Sequence, residues 1–284
     1  VISRSDIDIV IVATVNKFLA PITKSALKYG KHVLCEKPLG RNIEESREIL
    51  NTLNERSGFD APFLKTGFNH RHHPAISKAK EIFDKGEIGS LLYMRCRYGH
   101  GGRPGYEKEW RAQRDLCGGG ELLDQGVHVV DLFRWFAGNF DEAFGYVSTF
   151  FWKMEVEDNA FAIFRKADGV VALMHTSWTQ WKNLFCFEIF GSEGYLIIEG
   201  LGGSYGIENL RIGRRNPLGG PPQEDILKFD GPDISWEAEW NEFISAIQWK
   251  RQPLGNGWDG HKANAMIKGV YDSVAKRKPV RIED

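Results

Sequence analysis

The stretch IDIVIVATV, residues 7–15, decides the fold class. Its residues are almost all β-branched, which is typical of a parallel strand covered on both faces. The segments that follow predict a helix at 19–29, a strand at 32–35, a helix at 42–55 and a strand at 63–68. Because alternating strands and helices fold with right-handed crossovers, this order predicts an open parallel sheet.

The second strand leads into HVLCEKPLG, residues 32–40, where Glu36, Lys37 and Pro38 follow directly on apolar residues. In open parallel sheets, ligands bind at the carboxyl ends of the strands. The neighbouring strands also end in polar residues, at 14–16 and 69–71. We therefore expect the three strand ends to line one cleft.

From residue 74 onward the pattern changes to short strands joined by turns. We expect a helix at 75–85, a strand at 90–98, and one continuous helix from the glycines at 118–120 to about residue 137. The remaining segments predict strands at 144–151, 159–164, 170–179, 184–190 and 195–199, a loop at 213–222, and helices at 236–250 and 261–276. The predicted fold class is α/β: a parallel-sheet domain at 1–73, then an α+β domain at 74–284 with a mostly antiparallel open sheet. We expect the C-terminal helix to pack back on the first domain.

The overall composition excludes several classes of function. The chain has 284 residues, 42% of them hydrophobic and 26% charged, and a formal net charge of −1. No global field therefore attracts nucleic acid or an anionic membrane, and no apolar run reaches membrane-spanning length. The four cysteines are scattered and fit no redox or metal motif, so we expect a cytoplasmic protein.

The segment GGGELLDQGVHVVDL, residues 118–132, combines carboxylates with a histidine. On one continuous helix, Asp124, His128 and Asp131 share a face. A carboxylate one turn from a histidine suits proton transfer at an alcohol oxygen, although a solvated polar face has the same spacing. Lys37 at a strand tip suits proton or hydrogen-bond donation, although this stretch taken alone favours an ordinary surface pair with Glu36.

Two further segments have features of binding sites. The run NHRHHP, residues 69–74, holds three histidines but matches no zinc signature, so we expect no metal and interpret Arg71 as a substrate or cofactor contact. The G-x-G-x-x-G turn of dinucleotide-binding proteins is absent from the sequence. Its nearest counterpart, GLGGSYG at 200–206, predicts only a loop of the second domain.

These motifs together resemble the Gfo/Idh/MocA family, of the glucose–fructose oxidoreductase and inositol dehydrogenase type. Glu36-Lys37-Pro38 is similar to its EKP signature, and residues 118–128 are similar to its G-G-G-x-x-x-D-x-G-x-H signature. The resemblance implies hydride transfer between a sugar or polyol, phosphorylated or nucleotide-linked in some cases, and NAD or NADP. It also implies a homo-dimer or tetramer formed through the open sheet of the second domain.

The resemblance assigns roles to individual residues. His128 is the expected acid/base at the substrate hydroxyl, Lys37 a proton relay or hydrogen-bond donor, and Asp124 the group that orients the substrate or His128. The expected cofactor contacts are Thr14, Asn16, Glu36 and Lys37. The expected substrate contacts are Arg71, Trp110, Asp124 and His128, and the arginines near Trp110 (Arg103, Arg111, Arg114) suggest an anionic sugar or simply solvated charges.

The resemblance also implies that a part of the family's Rossmann domain precedes residue 1. The family carries about sixty residues, roughly two strand–helix units, before the strand at 7–15, and these hold the glycine turn. We therefore expect a truncated chain with only the C-terminal half of that domain, which on its own binds the nicotinamide cofactor weakly or not at all and is inactive. The alternatives are a non-catalytic sugar-binding or oligomer-forming relative that has lost cofactor binding, and an NAD-assisted glycosidase.

Overall fold

The computed structural model describes residues 1–56, 58 and 61–283. Its first sheet has three parallel strands in the order β1-β2-β3, which confirms the parallel sheet. The strands are β1 (Ile9–Val12), β2 (His32–Glu36) and β3 (Leu64–Gly67), and the crossovers contain α1 (Asn16–Lys28) and α2 (Ile43–Asn54). Asn42 caps α2, because its side chain accepts the Glu45 N–H at 2.9 Å.

The first strand differs from its prediction. β1 is four residues long and lies at an edge of the sheet, and Ile11 is 56% exposed. The β-branched run predicts a strand covered on both faces, but in the described structure β1 pairs only with β2. The segment 7–15 therefore contains a parallel strand, as predicted, but this strand is more exposed to solvent than the prediction requires.

The second sheet has nine strands in the order β11-β10-β9-β8-β4-β7-β6-β5-β12. Among the strands of the described residues, only the β4–β7 pair of this sheet is parallel, so the sheet is mostly antiparallel, as predicted. Its strands are β4 (Leu91–Gly99), β5 (Glu142–Ser148), β6 (Asn159–Arg165), β7 (Val171–Ser177), β8 (Leu184–Gly191), β9 (Gly194–Glu199), β10 (Glu208–Arg214), β11 (Gln223–Phe229) and β12 (Val280–Arg281). The remaining helices are α3 (Pro74–Asp84), α4 (Arg114–Cys117), α5 (Glu121–Asp124), α6 (Gly126–Ala137), α7 (Ser235–Gln248) and α8 (Gly257–Lys276).

Three elements correct the sequence prediction. The loop expected at 213–222 is the turn of a hairpin between β10 and β11, neither of which was predicted. Almost all side chains of β11 are exposed, so its sequence carries no alternation of apolar and polar residues. The helix expected to run unbroken to residue 137 is interrupted at Gln125, which separates α5 from α6.

The C-terminal helix α8 contacts both halves of the molecule. Asn264 donates to the carbonyl of Leu39 at 2.9 Å, and the ring of His261 bonds the hydroxyl of Ser46 at 2.8 Å. On its other side, Met266 and Val270 belong to the main core beneath the nine-stranded sheet. The helix therefore ties the loop after β2 to the second sheet, although the domain division at residues 73 and 74 stays a prediction.

In the part of the chain that the structure describes, we find no helix long and apolar enough to cross a membrane.

Candidate active site

Lys37 and Asp124 form the centre of the candidate site. Lys37 directly follows β2, its peptide bond with Pro38 is cis, and its Nζ lies 2.8 Å from Asp124 Oδ1 and 2.5 Å from the Asp124 carbonyl oxygen. The two side chains are 18% and 16% exposed, so the pair lies at an accessible surface. The strand tip and the helix segment 87 residues later thus meet at one point, as the two motifs require.

The helix segment that carries Asp124 begins at a tightly packed glycine turn. The N–H groups of Gly120 and Leu122 donate to Glu157 Oε1 at 3.0 and 3.3 Å, and the Tyr271 hydroxyl donates to the same oxygen at 2.6 Å. A carboxylate at a helix N-terminus satisfies free N–H groups and favours the helix dipole. A Cβ atom at Gly120 would lie 2.0 Å from the Glu157 carbonyl oxygen, so only glycine fits there.

The electrostatic surroundings keep Asp124 ionised. Burial raises the pKa of its carboxyl, but the cations Lys37 and Arg111 outweigh burial and hold the pKa below its ordinary value. Arg111 Nε lies 3.4 Å from Asp124 Oδ2. Asp124 is therefore a charged group that fixes the Lys37 ammonium in place.

His128 lies one turn further along, at the start of α6, and is buried. Its ring stacks on that of His70 at 3.8 Å, with 19° between the ring planes. Burial, and then the charge of Lys37, hold the pKa of His128 well below its ordinary value of 6.5. The imidazole is therefore neutral at neutral pH and able to accept a proton.

The predicted cofactor contacts lie along the carboxyl edge of the first sheet. Thr14 is exposed, and burial raises the pKa of Glu36. Asn16 is buried, and its amide donates to the carbonyl of Cys117 at 2.8 Å. The edge thus presents Thr14 and Lys37, whereas the Asn16 side chain connects α1 to α4.

The structure does not bring the Arg71 side chain to Lys37. Arg71 is 3% exposed, and its Nε and Nη2 atoms lie 2.8 and 2.5 Å from the two carboxylate oxygens of Asp131. A third contact of 3.2 Å joins Nη1 to Asp259. Asp131 therefore belongs to a separate buried ion network, and the face expected to combine it with Asp124 does not form. This burial counts against a substrate contact at Arg71, which stays a prediction.

Trp110 contacts Arg111, which in turn contacts Asp124. The Arg111 guanidinium lies 4.5 Å from the centre of the Trp110 ring while it contacts Asp124. Sequence reasoning missed two other residues next to the predicted site, His70 and Glu121. In the sequence, His70 stands out only as one of the three histidines of residues 69–74, and Glu121 only as a helix residue after the glycines.

Within residues 1–56, 58 and 61–283, no group of three histidine, cysteine or carboxylate side chains is arranged to hold a metal ion.

Comparison with known proteins places this geometry in a family. Models of the oxidoreductase family with an NAD-binding Rossmann fold and of the GFO/IDH/MocA C-terminal domain match residues 1–59 and 76–197. The 1,5-anhydro-D-fructose reductase of Ensifer adhaerens is 31% identical over 283 residues, which cover 98% of this chain and 80% of that protein. The chain belongs to the GFO/IDH/MocA family of oxidoreductases.

Other members of the GFO/IDH/MocA family agree with this assignment. Levoglucosan dehydrogenase of Pseudarthrobacter phenanthrenivorans is 29% identical over 224 residues, 69% of this chain but 56% of that protein. A solved structure of levoglucosan dehydrogenase in complex with NADH superimposes with a TM-score of 0.89 at 24% identity and covers 100% of this chain and 82% of that one. This likeness confirms the mixed α/β fold.

Proposed function

We propose that the protein transfers a hydride between a sugar or polyol carbon and NAD or NADP. The proposal rests on the partly exposed Lys37–Asp124 ion pair, with neutral His128 four residues after Asp124. An ammonium held by a carboxylate beside a neutral imidazole can bind an alcohol oxygen and remove its proton. The match to an NAD-binding oxidoreductase family supports a nicotinamide cofactor as the redox partner that such a site needs.

The edge residues of this chain fit the nicotinamide end of a dinucleotide. Thr14 is exposed next to the strand end, and Lys37 is partly exposed. The sequence contains no G-x-G-x-x-G turn for a pyrophosphate, so the described residues account for one end of the cofactor only. When bound, NAD or NADP supplies the hydride acceptor or donor.

The protein groups then have distinct tasks. Lys37 donates a hydrogen bond to the substrate oxygen and stabilises the negative charge that develops on it. Asp124 holds the Lys37 ammonium in place through the 2.8 Å contact. His128 accepts the hydroxyl proton during oxidation, because its lowered pKa leaves the imidazole unprotonated at neutral pH. The imidazolium formed in that step is the proton donor of the reverse, reducing direction.

We propose a neutral sugar as the substrate, because the arginines near Trp110 already have polar partners within the chain. Arg103 lies 2.8 Å from Glu109, Arg111 lies 3.4 Å from Asp124, and the Arg114 guanidinium donates to the Glu155 carbonyl at 2.8 Å. A phosphate would have to compete with these partners. The names of both relatives above, levoglucosan dehydrogenase and 1,5-anhydro-D-fructose reductase, denote sugars without phosphate.

The proposal includes a homo-oligomer formed through the open face of the second sheet. Aromatic and aliphatic side chains of three adjacent strands are exposed there, in rows set by the strand register: Tyr146 (65%), Ile163 (45%), Phe161 (39%) and Leu173 (37%). A contiguous apolar patch of this kind is typical of a protein–protein interface. We call these four residues the open-face patch.

A substrate panel tests the proposal. The natural protein that contains these residues is mixed with NAD or NADP and a series of neutral and phosphorylated sugars and polyols, and the absorbance of the reduced nicotinamide is followed. We expect turnover with a neutral sugar or polyol. Cofactor binding with no turnover on any of them would instead support a non-catalytic relative, and release of free sugar from a glycoside without net reduction would support an NAD-assisted glycosidase.

A further inference from the structure

One histidine lies on the open face of the second sheet, beside the open-face patch. His175 follows Leu173 by two residues on β7, so both side chains point to the same side of the sheet, whereas Met174 between them belongs to the core. The ring of His175 stacks on that of Phe161 at 4.2 Å, with 8° between the ring planes. His175 therefore borders the patch and is only partly buried in the single chain.

Hydrogen bonds fix which ring nitrogen of His175 carries the hydrogen of the neutral ring. The amide nitrogen of Asn159 donates to Asp158 Oδ1 and to Thr179 Oγ1, both at 2.9 Å, so the position of its amide oxygen is fixed as well. That oxygen lies 3.1 Å from His175 Nε2 and can only accept, so Nε2 carries the hydrogen. Nδ1 has no hydrogen-bond partner in the part of the chain that the structure describes and is not fully buried, so a further proton binds there.

The surroundings of His175 oppose that further proton. Arg97 lies opposite His175 in the register of β4 and β7, on the same open face. Burial, and then the charge of Arg97, hold the pKa of His175 below its ordinary value of 6.5. The other titratable groups around this row of the sheet are Cys186 on β8 and Glu199 on β9, and Asp158 behind the β6 amide.

The charges of the same row favour a second copy of this chain as the occupant of the open face. Arg97 and Glu199 are both exposed, and within the described residues neither forms an ion pair. Only β8 separates their strands, so they lie about 10 Å apart across the sheet. A second copy presents the same cation and the same carboxylate, so an interface with two-fold symmetry supplies each with an opposite charge. An acidic or a basic partner would match only one of the two.

We propose that the open-face interface between copies of this chain dissociates in acid, because His175 binds a proton there. The inference rests on the homo-oligomer of the proposed function and concerns the regulation of its interface. The neutral ring adds no charge to a second copy that covers it. The protonated ring places an unpaired cation beside Arg97 in an apolar interface, which opposes association.

The direction of the pH effect follows from proton linkage. A second copy that covers His175 removes the ring from water and lowers its pKa below that of the separated copies, so protons favour the separated copies. The pKa of the separated copies itself lies below 6.5, so the effect begins below that pH. From there down to the pKa of the covered ring, each ring raises the dissociation constant by up to about tenfold per pH unit, and a two-fold interface contains two such rings.

Sedimentation of the natural protein and of His175→Gln at pH 8 and at pH 5 tests the inference. Glutamine keeps an amide donor near the Nε2 position but takes up no proton. We expect the natural protein to be a dimer or tetramer at pH 8 with a dissociation constant about tenfold or more higher at pH 5, and His175→Gln to lose this change. His32→Gln is the control and should behave as the natural protein does, because His32 is also partly buried with a lowered pKa but lies on β2 of the first sheet.

The outcomes separate the inference from the proposed oligomer. A protein that is oligomeric at pH 8 and no weaker at pH 5, or a His175→Gln variant that dissociates as the natural protein does, would overturn the inference and leave the oligomer standing. A natural protein that is monomeric at pH 8 would overturn both. Histidine NMR needs no variant: the titration midpoint of His175 should fall when the protein concentration is raised through the dissociation constant, and an unchanged midpoint would also overturn the inference.

Discussion

Arg71 matches a family motif by its place in the sequence, yet its environment is that of a structural ion pair. Its guanidinium is buried between Asp131 and Asp259. Removal of one partner leaves an uncompensated buried charge, which typically costs 3–5 kcal/mol. We expect Arg71→Met to lower the free energy of unfolding by about this amount, as measured by urea denaturation.

A surface arginine provides the control for Arg71. Arg95 pairs with Glu188 at 2.9 Å, but its side chain is 48% exposed, so Arg95→Met should cost less than about 1 kcal/mol. The opposite result would be an Arg71→Met variant that unfolds at the same urea midpoint as the native protein and has a higher KM for the substrate. Arg71 would then be a substrate contact, as the motif alone predicts.

The neutral state of His128 has a consequence for pH dependence. Its folded pKa lies well below 6.5, so lowering the pH from 8 to 6 does not protonate the imidazole. We expect its ring carbon-bound protons to show no titration in NMR between pH 8 and 6, and kcat/KM for oxidation to show no loss attributable to this group there. A titration midpoint near 6.5 would contradict the account of His128 as a buried base.

At the scale of elements, the turn before α5 depends on close backbone contact. A Cβ atom at Gly120 would lie 2.0 Å from the carbonyl oxygen and 2.7 Å from the amide nitrogen of Glu157, so backbone must move to accept it. We expect Gly120→Ala to destabilise the protein by about 1–3 kcal/mol or more, measured by thermal and urea unfolding, and to displace Asp124 from Lys37.

Gly231 is a suitable control for Gly120. A Cβ atom there would meet no other atom within 4 Å, and its φ is not positive, so Gly231→Ala should change stability by less than about 0.5 kcal/mol. Equal losses of stability in the two variants would contradict the claim that the close backbone contact at Gly120 requires glycine there.

The elements also show where sequence patterns suffice and where they fail. The apolar run at 33–35 predicts β2, because it reflects burial within the strand itself. The hairpin of β10 and β11 escapes prediction because β11 is an exposed edge strand without apolar periodicity. The break occurs at Gln125, whose side chain donates to the Tyr205 hydroxyl from a distant loop, and no local sequence pattern contains this contact.

For the whole molecule, the open-face patch leads to a prediction about assembly. We expect the native protein to sediment as a dimer or tetramer, and Ile163→Glu to shift it toward the monomer, because a buried unpaired carboxylate opposes the interface. Leu218→Glu is the control, since Leu218 is 97% exposed in the turn between β10 and β11. A native monomer, or dissociation by both variants alike, would contradict an interface at this patch.

In the candidate site, too, some residues can be predicted from the sequence and others only from the structure. The motifs predicted Lys37, Asp124 and His128 as functional residues, because each motif is local. Their assembly depends on how the second sheet packs against the first through α8, so the 2.8 Å contact between Lys37 and Asp124 could be expected only by resemblance. His70 and Glu121 could not be found from the sequence, because only burial and missing hydrogen-bond partners make them notable.

The central claim is that His128 exchanges a proton with a sugar or polyol hydroxyl during hydride transfer. The most direct test compares the native protein with His128→Asn on the best substrate of the panel, by the absorbance of the reduced nicotinamide at neutral pH. Asparagine keeps a polar side chain but cannot act as a base, so we expect kcat to fall about 10²–10⁴-fold with an unchanged circular dichroism spectrum. A variant that turns over within about twofold of the native rate would contradict the claim.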